Sequence, residues 1–181
     1  MNVHEWIDAF VRKVNATPLC FPDYAPDIWE EQAPEDGRVS LAVENRRVLV
    51  ERLEEKLQHR FPKSFRSLLY RYTFPPFDVL GVMLFGWNDN SKHLQDNLPH
   101  SIFADIHLSQ VLLTNGYIQI GRPDTGDYDA ICFDTNKKIG DNEYSIVRIE
   151  HENVLIHDRI VITDSIAPSF YAFTRDFVNS V

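Results

Sequence analysis

Cysteine is scarce in this chain: two residues in 181, Cys20 and Cys132. Their spacing suggests neither a zinc site nor a redox pair, and a single disulfide between them stays open. Cys132 lies inside the apolar run Ala130–Phe133, the setting of a buried, inert thiol. Long apolar runs are also missing; none approaches the roughly 20 residues that span a bilayer. The opening stretch MNVHEWIDAFVRKV mixes charges and lacks the apolar core of a signal peptide, so a reducing, cytoplasmic location is expected. Positive charge is in deficit too: 18 Lys and Arg against 27 Asp and Glu, a net charge of −9. Neutralising phosphates calls for a Lys/Arg face, so direct nucleic-acid binding is not expected.

Catalytic signatures are equally lacking. There is no G-x-S-x-G elbow, and residues 151–155 read HENVL rather than HExxH. Three glycines fall within Gly116–Gly126, but in no dinucleotide or phosphate-loop pattern, and no cofactor is expected. Ser64, Ser67 and Ser169 stand where helix capping and packing explain them. Asp124, Asp127, Asp129 and Asp134 are spaced by three, two and five residues, which departs from a calcium loop. Turn chemistry accounts for Asp124 and Asp127, and no metal is expected. His151, set between Glu150 and Glu152, carries the one acid–base alternative: a hydrolase using Asp127 and His151. A hydrogen-bonded structural histidine is the favoured reading.

What is present points to an ordered core: 44% apolar residues, with twelve Phe, seven Tyr and three Trp. Val3, Ile7, Phe10, Val11 and Val14 have helical spacing. Thr17–Gly37 combines four prolines with six acidic residues and reads as an extended, acidic excursion. A helix is expected over Glu44–His59 and another from Pro62, in the first helical turn, carrying Phe65, Leu68, Leu69 and Tyr72. Val79–Trp87 reads as one strand, Asn88–Asn97 as polar loop, and Ile102–Leu113 fits helix or strand. Asn115-Gly116 signals a turn. Tyr144–Ile149 and Val154–Thr163 read as further strands. Phe170, Phe173, Phe177 and Val178 form a closing helical stripe. The fold class is therefore α+β, a central mainly antiparallel or mixed sheet of four to six strands with helices at both chain ends packed on it.

The most distinctive stretch is Tyr117–Asp134, YIQIGRPDTGDYDAICFD. An apolar strand runs through Gly121 into a tight loop, and a second strand, Tyr128–Phe133, follows. Gly121, Gly126 and Asp127 are the structural residues of that connection. Together with Leu53–Tyr72 upstream and Arg148–Glu152, RIEHE, downstream, read as a strand end and charged turn, it resembles the SUKH superfamily. That group includes a fungal cell-wall synthesis regulator and many bacterial toxin-immunity proteins. The resemblance implies one domain over residues 1–181, with a core of about 43–178 and residues 16–37 as an addition. It implies a non-catalytic protein-binding role, most often neutralising a toxin such as a nuclease; a regulatory scaffold is the alternative. The expected partner is a protein, a basic toxin domain being the best match to the acidic charge. Asp124, Asp127, Asp129, Glu150, His151, Glu152 and the segment Asp23–Asp36 are candidate contacts. The chain is expected to be a monomer or a homodimer.

Overall fold

Apolar spacing sets the first and last helices, and they meet. The computed structural model describes residues 3–17, 20, 40–41, 46–87, 97–140 and 142–180. Asp23–Asp36 and residues 88–96 lie outside the described residues. Helix α1 (Val3–Ala16) buries Trp6, Ile7, Phe10, Val11 and Val14 along one stripe. The final helix α7 (Phe170–Asn179) opens on Ser169, whose side chain accepts from the Ala172 amide, and buries Phe170, Phe173 and Phe177. Phe170 is a hub of edge-on aromatic packing, with ring centroids 5.0 Å from Phe65, 6.2 Å from Phe10 and 6.2 Å from Phe133. Trp6 Nε1 donates to Thr174 Oγ1 across the same buried seam.

Helices α2 (Arg47–Leu57) and α3 (Lys63–Arg71) follow, as the leucine spacing expects, though α2 is shorter than Glu44–His59. Pro62 stands one position before α3 rather than inside its first turn. Its φ of −61° with ψ of 150° suits the extended capping position. Glu54 on α2 is buried and accepts from the Phe61 amide. Burial pushes its carboxyl up, against the opposing pull of that amide and of Arg66. Tyr72 donates to Asp8, which Arg71 also grips, locking α3 to α1; burial and the Asp8 carboxylate push the phenol up to about 12.

The sheet is a six-stranded antiparallel meander, β3 to β8 in chain order. Its strands are β3 (Phe77–Val79), β4 (Val82–Leu84), β5 (Tyr117–Pro123), β6 (Ala130–Ile139), β7 (Glu143–Ile149) and β8 (Ile162–Ala167). A two-residue pair, β1 (Ser40–Leu41) with β2 (Tyr72–Thr73), stands apart. Helices α4 (Leu98–Phe103) and α5 (Ile106–Thr114) precede β5, and α6 (His151–His157) links β7 to β8. Alternation divides the central strands between two cores. Phe133 and Ile146 join the large core with α1, α2, α3 and α7, whereas Cys132, Val147 and Ile149 pack with Leu108, Leu112 and Val154. Both cysteines are buried thiols that form no disulfide, and burial pushes the Cys132 thiol well up.

Three expectations need correction, and the open reading of Ile102–Leu113 resolves to helix. Val79–Trp87 is not one strand: Leu80 (φ 51°) and Gly81 (φ 81°) form a two-residue turn between β3 and β4, so Gly81 is the centre of a hairpin. Ile102–Leu113 divides into the end of α4 and most of α5, broken at Asp105, whose side chain caps α5. Strand β6 begins at Ala130, leaving Tyr128 exposed, and runs on to Ile139 through an irregularity after Asp134. Val154–Thr163 is the rest of α6, a connection and only the start of β8, and the charged turn after Glu150 is the first turn of α6.

Gly121 sits at a register shift of β5 against β6, and a Cβ there would lie 2.3 Å from the Met83 carbonyl oxygen. Backbone cannot yield as a side-chain tip does. Gly121→Ala is expected to destabilise by about 1–3 kcal/mol, read as a lower urea midpoint with an unchanged slope; an unchanged midpoint would refute the close approach.

Candidate functional site

The β6–β7 register places Ala130 opposite Ile149 and Ile131 opposite Arg148. The residues just outside that pairing therefore converge: Asp129 before β6, Glu150 after β7, and His151 at the start of α6. Asp129 is only 9% exposed and ties all three elements together. Its Oδ2 accepts from Arg148 Nε at 2.7 Å. Its Oδ1 lies 3.1 Å from both the backbone amide and Nδ1 of His151. A carboxylate only accepts, so the His151 proton facing it resides on Nδ1. Burial alone pushes the Asp129 carboxyl up, but the hydrogen bonds from His151 and Arg148 outweigh it and hold it below the usual range.

Asp127 completes the grip. Its Oδ2 accepts from Arg148 Nη2 at 3.1 Å and from Thr125 Oγ1 at 2.9 Å. Gly126, at φ 84°, turns the chain between Thr125 and Asp127. Alternation sends both aspartates toward Arg148 and leaves Tyr128 between them 64% exposed. The Tyr128 ring lies 5.9 Å from the His151 ring, and the Arg122 guanidinium lies 5.4 Å from the Tyr128 centroid.

Asp127, Asp129, Glu150, His151 and Glu152 line one open concavity of roughly 530 Å³, together with Arg148, Thr163 and Asp164. Asp124 does not line it; its backbone amide donates to Gly81 O, joining the loop to the β3–β4 turn. Five of the lining residues are carboxylates, against one arginine and one histidine, so the site is acidic even with His151 protonated. Glu150 accepts from Asn153 Nδ2. Glu152 and Asp164 are exposed, and among the described residues no ion pair reaches either. The described residues contain no group of three or more His, Cys, Asp or Glu that could hold a metal ion. Asp127 and His151 are not hydrogen-bonded to each other: Arg148 and Thr125 engage the first, Asp129 the second.

Sequence reasoning assigned no role to Arg148, although a signal was there. Two aspartates at alternate positions just ahead of an apolar strand need a cation, and Arg148 interrupts an otherwise apolar strand end at VRI. Thr163 and Asp164 carry no signal in the sequence, because no glycine or proline separates β8 from the α6 segment.

The site's pH dependence follows from Asp129. Its folded pKa is depressed, so its contribution is complete above the unfolded value of about 4 and is lost as pH falls through the lower, folded value. Asp129→Asn is expected to cost about 1.5–3 kcal/mol at neutral pH, with the gap to the unsubstituted protein narrowing below about pH 4. Urea titrations across that range measure it; a gap independent of pH down to about 2 would contradict the assignment.

Among the described residues, no helix is long and apolar enough to cross a membrane. A search of curated proteins gives no match to this chain. A family model does match, over residues 47–176, from the start of α2 into α7 and including every residue of the concavity. On that match, which spans well over half its length, the chain belongs to the SMI1 / KNR4 family (SUKH-1).

Proposed function

We propose that this chain is a non-catalytic, immunity-type protein of the family that acts in the cytoplasm by binding a toxin and covering its cationic surface. The carrying observation is the imbalance of the concavity. Arg148 is already engaged by Asp127 and Asp129, so the rim carboxylates Glu152 and Asp164 face solvent without a counterion. His151 is held by Asp129 as part of the floor. Asp124, on the neighbouring loop, adds an exposed carboxylate outside the concavity. A toxin that grips nucleic acid presents basic groups, so a nuclease is the class this surface suits. The net charge of −9 then favours rapid, salt-sensitive encounter.

The test is capture from the native host with the tagged chain, followed by co-expression of the captured protein. A basic toxin whose growth arrest this chain relieves is the expected result. The Glu152→Lys, Asp164→Lys double variant should fold normally and slow association by roughly tenfold or more at low salt. Capture of housekeeping or signalling proteins alone, with no toxicity to relieve, would favour a regulatory scaffold. Unchanged association by the double variant would remove the concavity from the proposal.

A further inference from the structure

The concavity opens beside β8, the last strand of the sheet among the described residues. Strand β8 pairs with β7 alone, and among the described residues no strand lies on its outer side. Ile162, Thr163, Asp164 and Ser165 are all exposed, and two of them, Thr163 and Asp164, also line the concavity. A strand paired on one side leaves alternate N–H and C=O groups open to another chain. Here the edge is guarded against its own copies. Register shifts interrupt the β7–β8 ladder, and Asp164 stands directly opposite Arg148. Pairing β8 with a second β8 would bring two acidic concavities together on chains of net charge −9, so like charges oppose it.

A cationic segment meets the reverse situation. Its backbone extends the sheet, and alternate side chains point toward the carboxylates at Asp164, Glu150 and Glu152. We infer that the partner docks by adding an extended segment bearing lysine or arginine to the edge of β8 over residues 162–165, with its cationic side chains in the neighbouring concavity. This rests on the reading that the concavity receives a basic protein, and it supplies the geometry of that contact.

The experiment uses the full chain and a short soluble peptide alternating lysine with threonine, added to about 1 mM, the weak end of specific affinity. Amide exchange and side-chain chemical shifts are followed by NMR, with the glutamate–threonine peptide as the charge control. The expected result is exchange slowed about tenfold at the outward-facing amides within residues 162–165 when the peptide is near ten times its Kd, with no effect of the acidic peptide. Shifts at Glu150, Glu152 and Asp164 without amide protection in β8 would overturn the edge docking while leaving the acidic site standing. No shift at either place would overturn both. Equal protection by the acidic peptide would overturn the charge argument for the occupant.

Discussion

The Asp129 carboxylate is the constraint on which the site depends. It is nearly buried, yet it accepts from the Arg148 guanidinium, the His151 amide and the His151 ring. Those donors belong to the end of β7 and the start of α6, while Asp129 itself leads into β6. One side chain thus fixes where a strand begins, where its neighbour ends and where the following helix departs. Burying a charge is tolerated only when its lone pairs are met, and here both oxygens are. With Asp127 on the same guanidinium, the charge of Arg148 is met by two carboxylates of the chain itself.

That internal closure leaves the outward chemistry to the rim. The central strands of the sheet beneath are covered on both faces, by the aromatic core around Phe170 on one side and by α5 and α6 on the other. Glu152 and Asp164 stand on this support beside β8, on whose outer side no strand lies among the described residues. Asp127 faces Arg148 rather than the imidazole, so the Asp127–His151 pairing on which a hydrolase would rest is not made.

Much of the fold is legible in the sequence wherever one strong pattern acts alone. The α1 and α7 stripes, the α2 and α3 periodicity and the apolar run Ala130–Phe133 each reflect burial on a defined face. The family resemblance, too, rests on ordered segments that the match over residues 47–176 contains. Legibility fails where short-range rules compete. In VLGVMLFGW, apolar residues fill both arms of a hairpin and hide the turn, because Leu80 adopts the left-handed conformation usually left to glycine, asparagine or aspartate. The α6 segment HENVLIH is too short for a helical period to stand out, and it buries only Val154. The site was legible in its acids and histidine but not in its cation, whose role appears only when β6 and β7 pair.

The most direct measurement is a double-mutant cycle on Asp129 and Arg148, using Asp129→Asn, Arg148→Gln and the pair, with stability read by urea denaturation at neutral pH. If the carboxylate organises the site through the guanidinium, the two substitutions should couple by about 1–3 kcal/mol, the double variant losing far less than the sum. Additivity within about 0.5 kcal/mol would mean that the two groups stabilise the fold independently, and Asp129 could not be the residue that holds this surface together.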